Sequence, residues 1–234
     1  MTTTEPTAAT VTVLPETAPE RRVFRPVGRA AAVVLPLGAV LAAVSTIFDP
    51  PSTEPEPRGM YVAYGADPAG ADVAATILHY GFLAIGVGLL LAGLAVATRR
   101  GRIWAWAGGA LGGLGFLNLS GSVVIDWFAA REAAMFGPDT AMEIGAEVEA
   151  MPALTAGWML PMVVGFTLGP IVLAVGLARA GVVRWWTVAL PVAVAVVMAG
   201  AKGFGPLGFL VGLALLLVYG VIVGHRLWTA PAVH

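Results

Sequence analysis

The sequence predicts an all-α, polytopic membrane protein: a bundle of six transmembrane helices with both termini on the cytoplasmic side. Three observations predict it. Of 234 residues, 58% are hydrophobic and 12% are charged, about half the charge of a soluble domain. Several apolar runs reach the roughly 18 to 20 residues that cross a bilayer. The basic residues are also segregated. Arg21, Arg22, Arg25, Arg29, Arg99, Arg100, Arg102, Arg179, Arg184 and Arg226 fall in alternate connections, and only Arg58, Arg131 and Lys202 fall in the others. Positive residues resist translocation, so the arginine-rich side is cytoplasmic. Most of the acids fall on the opposite side. There is no cysteine, which excludes disulfides, thiolate metal sites and thiol redox chemistry.

Residues 1–21 are rich in Thr, Pro, Ala and Glu, cannot bury a face, and read as a disordered tail. Spans follow at about 30–48, 73–98, 103–128, 153–178, 183–198 and 207–223. The first begins too late, and is too long, for a signal peptide. Residues 49–72, rich in proline and acids, read as an extramembrane loop with Tyr61 and Tyr64 at headgroup level. Trp104, Trp106 and Trp127 supply aromatic belts at the two ends of the third span. Thr140 and Glu143 fit a capping box opening a short surface helix at about 140–150. Pro161 and Pro170 should disturb the fourth span locally. The glycine-rich stretch 200–206 reads as a turn, and 229–234 as a cytoplasmic tail. The six spans make one domain, 22–228. Residues 91–95 leading to Arg102-Ile103-Trp104 resemble 173–178 leading to Arg184-Trp185-Trp186, as two cytoplasmic turns would.

Nearly all polar side chains at membrane depth lie in one hairpin, 72–130. Counting 1.5 Å per residue from the outer ends, His79 and Ser122 lie about 9 Å deep, Asn118 about 15 Å and Asp126 about 3 Å. Asn118, Ser122 and Asp126 share a stripe at four-residue spacing. Ionisable groups at depth are costly and usually pair, so the expected pair is His79 with Asp126: an acid–base couple, or a bond that merely ties the hairpin. Seven methionines lie in the outer half. Thioethers with histidine suit Cu(I), but no dense methionine cluster forms. Met159 and Met162 beside Trp158, with Asn118 and Ser122, more simply line a pliable apolar pocket. One histidine at depth does not make a haem site. Neither a cofactor nor a metal is expected. Gly108, Gly109, Gly112 and Gly113 follow no strand, so they are a helix-packing surface rather than a phosphate loop.

Asp49-Pro50-Pro51 after the first span, His79-Tyr80-Gly81-Phe82-Leu83, the Arg99-Arg100 turn, an aspartate late in the third span, and Gly169-Pro170 before an Arg and Trp turn together carry a resemblance. The chain resembles a family of uncharacterised six-helix integral membrane proteins of high-GC, actinobacterial-type bacteria, over roughly 22–228. That family often has His-Pro after the first helix where this chain has Asp-Pro. The resemblance implies the topology and nothing about activity; the expected location is the plasma membrane.

The expected function is binding or transport of a small apolar or amphipathic molecule, in an outward-facing pocket between the second, third and fourth spans. The rival readings are an intramembrane enzyme on a lipid or isoprenoid, with Asp126 as acid and His79 as its partner, and a structural subunit without a ligand. Membrane lipids are the expected partners, with no nucleic acid. The oligomeric state is left open.

Overall fold

The computed structural model describes residues 23–52 and 54–233, with side chains omitted at 199–206 and 232–233. The predicted tail 1–21 lies outside the described residues. Helices α1 (Arg25–Ser45), α2 (Arg58–Ala66), α3 (Pro68–Leu94), α4 (Arg99–Ser122), α5 (Val124–Phe136) and α6 (Pro138–Glu149) come first. Then follow α7 (Pro152–Leu154), a π-helical turn (Thr155–Met159), α8 (Leu160–Arg179), a 3-10 turn (Trp185–Val188) and α9 (Ala189–Thr229). Two-residue strands β1 (Val23–Phe24) and β2 (Ala232–Val233) pair in parallel. Five helical segments are long and apolar enough to cross a membrane: Arg25–Ser45, Pro68–Leu94, Arg99–Phe136, Pro152–Arg179 and Leu207–Thr229; Trp185–Met198 is a shorter apolar helix.

Small residues decide which helices touch. Helix association in lipid relies on close van der Waals contact, because lipid tails solvate leucine as well as another helix does. On α1 and α3, Gly38 faces Gly81 and Ile85, and Gly88 faces Leu35. On α3 and α4, Gly93 meets Ala105 and Gly109, and Gly86 meets Gly113. On α4 and α8, Gly108 meets Leu173, Gly112 meets Gly169, and Gly115 meets Gly165. On α9 and α1, Gly220 meets Pro36 and Gly224 meets Ala32. In every pair rising numbers on one helix meet falling numbers on the other, so neighbours are antiparallel. Tyr219, fully buried on α9, donates to Pro170 O at 3.4 Å and closes the row α9–α1–α3–α4–α8 into a bundle. Leu35, Ile85, Leu89, Leu173, Leu177 and Val223 fill its centre.

Both described ends lie on one face. β1 pairs with β2, Val23 also bridges Val96, and Phe24 N–H donates to Ala95 O at 2.8 Å. Gly101, at φ 84°, packs its backbone against Gly176 and Ala180 on the same face. The arginine-rich connections are therefore gathered together, and Arg29 and Arg102 lie 5.0 Å over the rings of Trp228 and Trp106.

Several predicted boundaries move, each for a local reason. The 49–72 loop contains α2. Helix α3 starts at Pro68 because Asp67 caps it, Oδ1 accepting from Gly70 N–H at 2.9 Å. The third span breaks at Val123, where Asp126 N–H bonds back only three residues, to Val123 O at 3.0 Å; α5 then runs on to Phe136. Helix α6 opens at Pro138 after Gly137 (φ 85°), with no side-chain cap, so Thr140 and Glu143 lie inside it. The π-helical turn directly precedes Pro161, whose ring displaces the carbonyl four residues back and whose nitrogen has no hydrogen to give it. The backbone of 199–206 is helical where the glycine-rich stretch predicts a turn. Nonetheless Met198 Sδ would stand 3.1 Å from a Cβ placed on Gly212. A straight helix would hold those residues about 21 Å apart, so α9 doubles back between them.

Candidate functional site

At the face opposite the arginines, α1 ends in Ser45 and Thr46, and the chain leaves it through Asp49. Asp126 sits in the first turn of α5 and Tyr64 near the end of α2. These side chains line a small chamber of about 50 Å³, whose apolar wall is Ala74, Ala75, Leu78 and Phe209. Thr46, Asp49, Tyr64 and Phe209 also line a second, open cleft of about 870 Å³, with Pro50, Pro51, Met60 and Leu210 as its apolar surface and Glu54 and Glu56 at its acidic rim. The shared residues make the chamber the polar tip of the cleft.

The hydroxyl hydrogens in the chamber are accounted for. Ser45 Oγ donates to Ala42 O at 2.8 Å, and Thr46 Oγ1 donates to Ala43 O at 2.8 Å. Tyr64 Oη donates to Asp49 Oδ1 at 3.3 Å. Burial first, then the nearby Asp126 and Asp49 carboxylates, push the Tyr64 phenol above its ordinary value, so it stays a neutral donor. Burial likewise raises the Asp49 carboxyl, and the Tyr64 hydrogen bond partly offsets this. What remains facing the chamber is two carboxyl groups, which when ionised are acceptors only, and two hydroxyl oxygens whose hydrogens are used on their own helix. Neither lining contains Arg or His among the described residues. The side chain of Lys202, in the stretch 199–206, lies outside the described residues. No three acidic or imidazole groups among the described residues gather closely enough to hold a metal ion.

His79 does not pair with Asp126. Its Nδ1 lies 3.0 Å from Ser120 O and 2.9 Å from Ser120 Oγ, and Ser120 Oγ also lies 2.9 Å from His79 O. Ser120 has one hydroxyl hydrogen. A consistent assignment donates it to His79 O and donates the Nδ1 hydrogen to Ser120 O. The ring packs 5.2 Å from Tyr80 and 6.0 Å from Trp127. The physical reason is helical phase. Ser120 stands 200° around α4 from Ser122, on the face that Gly109 and Gly113 press against α3, and it is only 2% exposed. Ser122 instead donates to its own Leu119 O at 2.8 Å. Replacing Ser120 by alanine should cost about 0.6 to 1.7 kcal/mol, the range for hydrogen bonds between membrane helices, measured as unfolding in detergent.

The other predicted site residues lie elsewhere. Trp158, on the π-helical turn and 40% exposed, donates Nε1–H to Asn118 O at 3.1 Å and covers Gly121. Asn118, Ser122, Trp158, Met159 and Met162 line neither the chamber nor the cleft. The cleft lies beside the ends of α1 and α2 and the middle of α9, rather than between the second, third and fourth spans. Of the predicted site residues only Asp126 lines the chamber at its tip. Asp49 and Tyr64, read as a span end and a headgroup anchor, are the residues that sequence reasoning missed.

Fold and site together have the dimensions of a helical membrane protein with an acceptor-lined cleft at one face. Compared with family models, curated proteins and solved structures, the chain matches none.

Proposed function

We propose that this is a bacterial plasma-membrane protein with six crossings and cytoplasmic termini, and that it binds or transports a small amphipathic molecule from the outer side. The orientation is supported by the arginines of the described residues, Arg25, Arg29, Arg99, Arg100, Arg102, Arg179, Arg184 and Arg226, gathered on one face, and by the acids on the other. The bacterial assignment is supported by the resemblance to six-helix proteins of high-GC bacteria. The sixth crossing is supported by the contact of Met198 with Gly212, which returns α9 across the bundle. The ligand is an alkylammonium cation. The observation that carries this reading is the chamber's one-sided hydrogen-bonding: it offers acceptors and no free side-chain donor among the described residues. A chamber of about 50 Å³ has room for an ammonium-sized group, since about 10 to 15 Å³ of such space holds a water. The cleft of about 870 Å³ falls in the size range of small-molecule sites and supplies an apolar wall for the chain.

The test is calorimetry of the purified protein in detergent with octylammonium, octanol and octanoate, which share a tail. Octylammonium should bind at least about tenfold tighter than the other two, the equivalent of one charge-assisted hydrogen bond. Lys202→Gln should leave that preference unchanged. Equal binding of all three, or appearance of the preference only in Lys202→Gln, would contradict the proposal.

A further inference from the structure

We propose that α2, α5 and α6 move together as a cap that opens and closes the chamber, latched shut by Arg131 and Asp72. The inference rests on the chamber being the functional site, and it names how access to that site is controlled.

The described residues form two separate apolar cores. The larger one fills the bundle. The smaller one consists of Tyr61 of α2, Ala129 and Ala133 of α5, and Ala141 of α6, with Met60, Tyr64 and Met142 against it. Within this unit Gly65 packs on Ala133, Tyr61 Oη reaches Gly145, and Arg58 pairs with Asp139, its Nε 2.8 Å from Oδ1. The unit is therefore held together by its own core.

Its links to the bundle are of another kind. Helix α2 passes to α3 through Asp67, which is outside the helical region at φ −134°, ψ 74°. Helix α4 passes to α5 through the interrupted ladder at Val123. Besides these connections the links are few: Trp127 of α5 packs against the bundle core beside the His79 ring, and the rest are polar. Arg131 of α5 pairs with Asp72 of α3, Trp127 Nε1 donates to Asp72 O at 3.4 Å, and Tyr64 bonds Asp49. The Arg131 side chain is 60% exposed, so salt reaches this ion pair readily.

The chamber lies along the seam between the two units. The cap contributes Tyr64 and Asp126, and the bundle contributes Ser45, Thr46, Asp49 and Phe209. Closing the cap brings the second carboxylate onto the first; opening it parts them and exposes Ser45, which is 3% exposed with the cap in place. Motions of this type turn on a few residues at element ends, as at Asp67 and Val123.

The absence of cysteine makes the test clean. Ser45→Cys is introduced alone and with Arg131→Ala, and labelling by a charged methanethiosulfonate is timed in detergent without ligand. Arg131→Ala should speed labelling two- to fivefold, the range for losing an exposed ion pair; Arg131→Lys should restore most of the protection. High salt should speed the parent and leave Arg131→Ala unchanged. Ser120→Cys, equally buried in the bundle at 2% exposure, should label at one rate in both backgrounds. Identical Ser45→Cys rates with and without Arg131 would overturn the cap, and so would equal acceleration at Ser120→Cys. Since no ligand is present, either result stands apart from the octylammonium comparison.

Discussion

Replacing Asp126 by asparagine should weaken octylammonium binding about thirtyfold and leave the fold intact. The carboxamide has the shape of the carboxylate but carries no charge, and it adds a donor to a chamber that has none free. An ammonium group that loses one charged acceptor forfeits roughly 1.5 to 3 kcal/mol, and about 2 kcal/mol is thirtyfold in the equilibrium constant. Titration calorimetry measures this directly. The effect should also depend on pH, with its sign fixed by Asp49. Burial raises that carboxyl from its ordinary 3.8. Below its raised value Asp49 is protonated and attracts the cation less, so affinity falls as pH drops through the range just above 3.8. Asp126, Tyr64, Glu54 and Glu56 face the same space. Asp49→Asn should flatten Asp49's share of the profile. Linkage gives the opposite slope for stability: between 3.8 and the raised value the folded state holds more protons than the unfolded, so Asp49 makes the protein less stable as pH rises there.

The second large effect lies in the packing of α4 on α8. Gly169 should not tolerate valine. A Cβ there would press into the Gly112 backbone and lie 2.9 Å from the Leu111 carbonyl carbon. Backbone atoms cannot rotate aside as a side-chain end can, so the helices must separate. That loses dispersion contacts along the whole interface, from Gly108 to Gly115. The expected cost is about 3 kcal/mol, seen as a lower unfolding midpoint in detergent. Gly157→Ala is the control, because a Cβ there meets nothing within 4 Å, and it should change stability by less than about 0.5 kcal/mol. If Gly169→Val matched Gly157→Ala, close backbone approach would not be what holds α4 to α8.

These two predictions divide along what could be read from the residues. The packing was legible. Paired small residues at four-residue spacing on α4 have one explanation in a membrane, and Gly108, Gly109, Gly112 and Gly113 do face α8 and α3. The grouping of arginines at one face was legible for the same reason, since charge in lipid is costly and its position follows topology. The face opposite them was read less well because its determinants are not periodic. Pro50, Pro51, Pro55 and Pro57 hid α2, whose helix begins only after them. The stripe Asn118–Ser122–Asp126 assumed one continuous helix, and the break at Val123 takes Asp126 off it. The partner of His79 could have been found by extending the packing stripe Gly109, Gly113, Phe116 one more step to Ser120. Asp49 and Tyr64 are fifteen residues apart across a proline-rich connection, and no local pattern brings them together. Their meeting is a product of how α2 packs on α5.

The measurement closest to the central claim is the position of a bound ligand. The protein would be crystallised with 8-bromooctylammonium, and anomalous scattering would locate the bromine. The ammonium nitrogen should lie within hydrogen-bonding distance of both Asp49 and Asp126, with the bromine beside Phe209 or Leu210 in the cleft. Bromine against Trp158 of the π-helical turn and Met162 of α8, with the chamber between Asp49 and Asp126 free of ligand, would contradict the account.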